Sequence, residues 1–200
     1  MEVRNTHPVL LVHGLWDSAA RIAPLVRGLA ARGVEPLATV DLRPNDGRAP
    51  IAALGEQVCV RADAVRAEYG CERIDLVGFS MGALACRYYL QRCGGIASTR
   101  RFISISGPHR GTLAAYALPF AGARQMRPGS ALLCDLELDV APFADVEVHC
   151  IYTPYDLMIV PATSALIAGA RSVHRIPVPI HRMMLRDPRV LDIVARLLRA

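Results

Sequence analysis

The chain has 200 residues, 52% hydrophobic and 20% charged, with 15 Gly and 14 Pro, which excludes a disordered, collagen-like or coiled-coil chain. This length implies one domain over residues 1–200, large enough to bury roughly 70% of its unfolded surface without a metal or disulfide staple. All 23 basic residues are Arg, and the net charge of +5 arises entirely within residues 171–200, where seven Arg face two acids.

Taken in chain order, short apolar runs alternate with helical patterns. The first strand is expected at Pro8–Val12, followed by a helix at Ser18–Arg32 that carries Ile22, Leu25 and Leu29 and stops at Gly33. A second strand is expected at Pro36–Val40. The next helix, Pro50–Tyr69, stops at Gly70. A third strand, Ile74–Val77, leads into a helix at Met81–Cys93 that stops at Gly94. Further strands are expected at Phe102–Ser106, Val146–Tyr152 and Ser172–Ile176. A helix should follow Ser130, and the last helix should start with Asp187 as N-cap and Pro188 at its first position. The strands are rich in Val, Ile and Leu and mostly do not alternate, the pattern of strands buried on both faces of a parallel sheet. Right-handed crossovers then give an open, doubly wound α/β sheet of six mostly parallel strands with helices on both faces. The first and third strands are neighbours and the second lies outside.

Within that frame, Gly78-Phe79-Ser80-Met81-Gly82 follows a strand and opens a helix. This is G-x-S-x-G in the context it requires. So sharp a turn strains the serine backbone and leaves no room for side chains two positions either side. It lifts the Ser80 hydroxyl clear of the sheet as a candidate nucleophile. Serine needs a base, usually His held by a carboxylate, and such residues lie beyond the carboxyl ends of strands. His149 and His174 fall inside strands, and His7 lies at the wrong end. His109, after the fourth strand, is a rival; His181, between the last strand and the last helix, is the candidate base. Among the acids, Asp135, Asp139 and Asp145 precede the fifth strand, whereas Asp156 follows it and is the candidate orienting acid; the alternative is a plain turn residue.

The loop His13-Gly14-Leu15-Trp16-Asp17 follows the first strand. Backbone N–H groups of Leu15 and Met81 are the expected oxyanion donors, Met81 with the added field of a helix N-terminus. Trp16 and Phe79, next to Leu15 and Ser80, are candidate substrate-binding residues. The chain order Ser80, Asp156, His181 is that of the α/β-hydrolases.

With these residues in place, the chain resembles the small lidless bacterial lipases and esterases of the α/β-hydrolase fold. The matching pieces are Pro8-Val9-Leu10-Leu11-Val12-His13-Gly14, Asp75 to Gly82, Ser106-Gly107-Pro108-His109-Arg110-Gly111-Thr112, Arg127-Pro128-Gly129-Ser130 and Asp156-Leu157-Met158-Ile159-Val160. The resemblance implies a minimal six-stranded α/β-hydrolase and the triad Ser80, Asp156 and His181. It implies hydrolysis of carboxylic esters in a small molecule or lipid, without metal or organic cofactor. Acyl transfer or thioester cleavage by the same triad is the alternative, and a non-catalytic scaffold a more distant one. The sequence departs from the family at Phe79, where His is usual, and at Pro179 and Ile180 before His181.

Four further expectations concern surroundings. The six cysteines have no C-x-x-C spacing and are expected to be reduced and mostly buried, in a cytoplasmic protein without a metal site or export signal. No apolar run reaches the roughly 20 residues of a membrane span. The last 30 residues contain no aromatic to interleave with their arginines, so nucleic acid is not an expected partner. Arg182, Arg186 and Arg189 beside His181 are instead expected to steer anionic substrates, or to make peripheral contact with anionic interfaces.

Overall fold

The computed structural model describes residues 7–139 and 143–200. Six strands form one sheet: β1 (Val9–Val12), β2 (Leu37–Val40), β3 (Ile74–Phe79), β4 (Thr99–Ile105), β5 (Glu147–Tyr152) and β6 (Ser172–Arg175). Their order is β2-β1-β3-β4-β5-β6, with every neighbouring pair parallel. Thus β1 and β3 are adjacent and β2 lies outside, as the sequence implies.

The helices are α1 (Ala23–Ala30), α2 (Ile51–Tyr69), α3 (Met81–Arg92), α4 (Ala121–Gln125), α5 (Ala131–Glu137) and α6 (Pro188–Arg199). Successive strand residues alternate between two cores. Leu10, Val12, Ile74 and Leu76 pack with Leu54, Val58, Leu84 and Leu133 of α2, α3 and α5. Val9, Leu11, Val77 and Phe79 pack with Leu25, Leu29, Val190 and Val194 of α1 and α6. The side-chain period of two explains the division, and each helix layer buries one apolar stripe.

Where the sequence-based boundaries differ, the cause is local. The helix expected from Ser18 begins at Ala23 because Pro24 lies at its start, and a proline ring clashes with the carbonyl four residues back. Strand β4 begins three residues earlier than its apolar run. Its leading Arg100 and Arg101 are satisfied by long-range partners: Arg100 forks onto the buried Asp75 of β3 at 2.9 and 2.5 Å, and Arg101 pairs with Glu147 of β5 at 2.7 Å. Both arginines also donate to carbonyls at the C-terminus of α6, Leu198 and Leu197, where cations are favoured. The mostly non-alternating pattern holds for the inner strands, while the edge strands β2 and β6 alternate in exposure. Only Cys86 and Cys150 are buried; Cys59, Cys71 and Cys93 are half-buried and Cys134 is exposed, so the expectation of mostly buried thiols is corrected. Surface packing, which the sequence pattern does not carry, decides this. Asp187 and Ser130 cap α6 and α5 by accepting from Arg189 and Leu133 N–H groups.

His149 on β5 is held neutral. Burial and the Arg101 guanidinium push its pKa down from 6.5 to about 4, against the opposing pull of Glu147. The unfolded chain therefore binds a proton that the folded chain refuses. Stability is full above the unfolded value of 6.5 and is lost as pH falls toward about 4. Urea unfolding should shift to lower midpoints through this window, and His149→Gln should flatten the shift. An unchanged pH dependence in that variant would assign the effect to other groups, such as buried His109, also held well below the usual range by burial and Arg87.

Candidate active site

The loops at the carboxyl edge of the sheet meet around one cavity of about 480 Å3. Ser80 sits between β3 and α3 with φ 54° and ψ −129°, a conformation L residues rarely adopt. Its N–H donates to the Ile105 carbonyl of β4 at 2.9 Å, which fastens the turn to the sheet. The flanking glycines are sterically required. A Cβ on Gly78 would lie 2.5 Å from Ala83 Cα, and one on Gly82 would lie 2.2 Å from the His13 carbonyl oxygen.

His181 opens a 3-10 turn, His181–Leu185, between β6 and α6. Its Nδ1–H donates to Asp156 Oδ2 at 2.8 Å, since a carboxylate can only accept. The other carboxylate oxygen accepts from the Met158 and Ile159 N–H groups, each at 2.9 Å. Burial would raise the Asp156 carboxyl. The hydrogen bond and charge of His181, together with the two backbone donors, outweigh that and hold it below the usual carboxylate range. The Asp156 side chain is 1% exposed and that of His181 11%. Ser80 and His181 border the same cavity but are not hydrogen-bonded to each other; such contacts commonly tighten only when substrate binds.

Across the cavity lies the loop after β1. The Leu42 N–H donates to His13 Nε2 at 3.0 Å, so the ring proton resides on Nδ1, which donates to the Gly14 carbonyl at 2.9 Å. That carbonyl and the Leu15 N–H belong to one peptide plane, so His13 orients the Leu15 donor. Trp16 takes φ 53°, and its N–H donates to Asn45. Among the described residues no backbone carbonyl takes the Leu15 or Met81 N–H, and both residues line the cavity.

The geometry thus brings together Ser80, Asp156, His181, Leu15, Met81, Trp16 and Phe79. Trp16 is 51% exposed at the cavity mouth, whereas Phe79 is only 4% exposed. The Phe79 ring lies against the His181 imidazole, centroids 4.8 Å apart, so it supports the imidazole as well as lining the cavity. Sequence reasoning missed this contact; the aromatic residue preceding the nucleophile was its only signal. The rival His109 is fully buried on Ser104 Oγ at 2.7 Å and does not line the cavity. Asp135 and Asp139 hold Arg92.

The segment after β4 supplies much of the remaining wall. Ala114, Ala115, Ala117, Leu118, Ala123 and Met126 line the cavity, while Ala115 and Met126 also join the core, so the segment both lines the cavity and packs on the core. Thr112 ties it to the Asp156 loop: its hydroxyl donates to the Met158 carbonyl at 2.8 Å and accepts from the Val160 N–H at 2.9 Å. Among the described residues, no group of three or more His, Cys, Asp or Glu is placed to hold a metal ion.

A family model described as palmitoyl protein thioesterase matches residues 8–162, a span that includes Ser80 and Asp156 and stops before His181. The chain belongs to this family. Beyond the family match, a triacylglycerol lipase of Pseudomonas fragi is 28% identical over 115 residues, covering 55% of this chain but only 37% of the lipase. The chain therefore aligns with little more than a third of that relative's length. Among solved structures, Aspergillus fumigatus lipase B superposes with a TM-score of 0.83 at 17% identity, over 97% of this chain and 52% of the lipase. The mature Bacillus licheniformis lipase BlEst2 superposes with a TM-score of 0.82 at 13% identity, over 97% and 92% of the two chains. At such identities the likeness shows the fold, which is that of the α/β-hydrolases.

Proposed function

We propose that this member of the palmitoyl protein thioesterase family is a serine hydrolase that cleaves carboxylic esters through an acyl-enzyme on Ser80. The Asp156–His181 hydrogen bond of 2.8 Å, in a cavity shared with the serine of a strained turn, carries the reading. In the first step, His181 Nε2 takes the Ser80 proton as Oγ attacks the acyl carbon. The tetrahedral oxyanion is held by the Leu15 and Met81 N–H groups. His181 then passes the proton to the leaving alkoxide. Water attacks the acyl-enzyme with His181 again as base, which releases the acid and restores Ser80. Asp156 keeps the proton on Nδ1 and stabilises the imidazolium.

The family match favours a second reading, cleavage of acyl thioesters by the same steps. A thiolate leaves with less help from a proton than an alkoxide does. Kinetics on paired oxyesters and thioesters of rising acyl length, with Ser80→Ala as control, separate the two. Hydrolysis that persists in the control overturns both.

The wall of the cavity is mainly apolar: exposed Trp16, Met158 and Ile180 line it, and exposed Leu113, Tyr116, Leu157 and Met183 are chain neighbours of lining residues. This supports a lipophilic acyl group, presented by a small molecule or at a lipid surface, and exposed Arg110 and Arg186 suit an anionic one. No described helix is long and apolar enough to cross a membrane. Six free cysteines fit the reducing, cytoplasmic setting that belongs to this proposal. The segment from Gly107 to Arg127 forms a wall of two short turns of helix, Leu113–Ala117 and α4. Activity should therefore rise smoothly with substrate concentration through the critical micelle concentration; an abrupt jump there would show that this wall opens as a lid.

A further inference from the structure

Arg182 does not stand free beside His181. Its Nη2 donates to Asp17 Oδ1 at 3.0 Å, across 165 positions of sequence. The Arg182 side chain is 44% exposed, but that of Asp17 is only 4% exposed. The two residues belong to the two loops that face each other over Ser80. Asp17 lies two positions past Leu15, and Arg182 directly follows His181. Both line the cavity.

The loop after β1 is held on its other side by contacts that leave the Asp17 carboxylate untouched. The Trp16 N–H donates to the Asn45 carbonyl at 2.8 Å, the Asn45 amide donates to the Asp17 carbonyl, and Arg21 donates to the Trp16 carbonyl at 3.0 Å. Within the loop, Asp17 Oδ1 also accepts from the Ser18 N–H at 3.2 Å, and the Asp17 N–H donates to the Gly14 carbonyl. Among the described residues, Arg182 is the cation paired with the Asp17 carboxylate. A buried carboxylate without that partner would set a negative charge beside the place where the substrate oxygen becomes negative. The arginines of this region thus divide. Arg182 is tied to Asp17 and Arg189 to Asp187, while Arg186 is exposed and has no ion pair among the described residues.

We propose that Arg182 is a positioning residue: its ion pair with Asp17 clasps the Leu15 loop to the His181 turn and neutralises a buried carboxylate at the oxyanion side of the cavity. The proposal rests on the hydrolase reading and assigns Arg182 to turnover, where the sequence alone suggested long-range steering. The contact is made by one guanidinium nitrogen, so a lysine ammonium can replace it in kind.

The test is steady-state hydrolysis of p-nitrophenyl butyrate, a small neutral ester that surface charge does not steer. Arg182→Gln should lower kcat by about 10- to 100-fold with KM within about twofold. Adding Asp17→Asn to that variant should recover part of the loss, because the uncompensated carboxylate is gone while the clasp is still missing. Arg182→Lys should retain most of wild-type kcat. Arg175→Gln, the same change of charge at an exposed site with no ion pair among the described residues, should stay within about twofold of wild type. The proposal is overturned if Arg182→Gln keeps wild-type kcat, if its loss lies in KM alone, or if Asp17→Asn brings no recovery. Should Arg182→Gln not fold, the double variant and Arg182→Lys decide, since a kcat loss in Arg182→Lys as large as in a chain lacking both charges also overturns it. Fluorophosphonate labelling of the wild type at Ser80 is read alongside. Its absence would mean that the hydrolase reading has failed and the clasp with it, whereas labelling with unaffected variants rejects the clasp alone.

Discussion

Replacing Ser80 by Ala should abolish labelling by a fluorophosphonate and reduce ester turnover by about 10⁴-fold or more, since in the proposed triad His181 and Asp156 act only through this oxygen. Phosphorus is attacked by the same activated hydroxyl that attacks an acyl carbon, so the probe reports the nucleophile independently of substrate. His181→Ala should cost nearly as much, and Ser80→Ala combined with His181→Ala should cost little more than either alone. Such non-additivity distinguishes a unit that transfers one proton from two residues that each bind substrate. The fold should survive Ser80→Ala, because alanine also relieves no packing: the Ser80 hydroxyl borders the cavity and its backbone remains tied to Ile105. Strong labelling in Ser80→Ala would place the nucleophile elsewhere.

The second large effect is expected at Gly14. A Cβ built there lies 2.8 Å from Ser80 Cβ, 3.2 Å from the Phe79 carbonyl oxygen and 3.3 Å from Ser80 Oγ. Two of these atoms belong to the strained turn, which is anchored on both sides by β3 and α3. The loop after β1 is therefore the partner that must shift in Gly14→Ala, and it carries the Leu15 N–H. Moving that donor should lower kcat by about 10²- to 10³-fold, the usual cost of losing one oxyanion contact. KM should change far less, because the apolar walls that hold the acyl group come mostly from other loops. The thermal midpoint is measured on the same sample to separate a displaced donor from a lost fold. Turnover near the wild-type level in a folded Gly14→Ala protein would mean that this loop is only a turn.

Much of the fold and of the site was legible in the residues alone. The alternation of short Val, Ile and Leu runs with helical stripes, and glycine after Arg32, Tyr69 and Cys93, are local signals. They depend on periods of two and 3.6 residues and on the φ that glycine permits. The turn at Ser80 is local only in part: Gly78 is needed because the chain doubles back on Ala83, whereas Gly82 is needed because the end of β1 brings the His13 carbonyl against it. Topology then did the rest, since ordering the strands places residues 13–17, 80, 156 and 181 on one edge, however far apart they lie in sequence.

Tertiary structure decided which side chains meet there. That Phe79 would lie on the His181 ring, that Thr112 would join two loops, and that Arg182 would reach a buried Asp17 depend on the rotamers and separations of groups brought together by packing. No periodicity encodes such contacts. The same holds for Arg100 and Arg101, which read as the end of a loop until Asp75 and Glu147 on neighbouring strands receive their charge. The sequence thus determined the elements, their order and the candidate nucleophile, because sterics and hydrophobic period act between near neighbours. Only the folded chain decided which charges are free and which are paired, because ion pairs and ring contacts form between residues that the backbone alone keeps far apart.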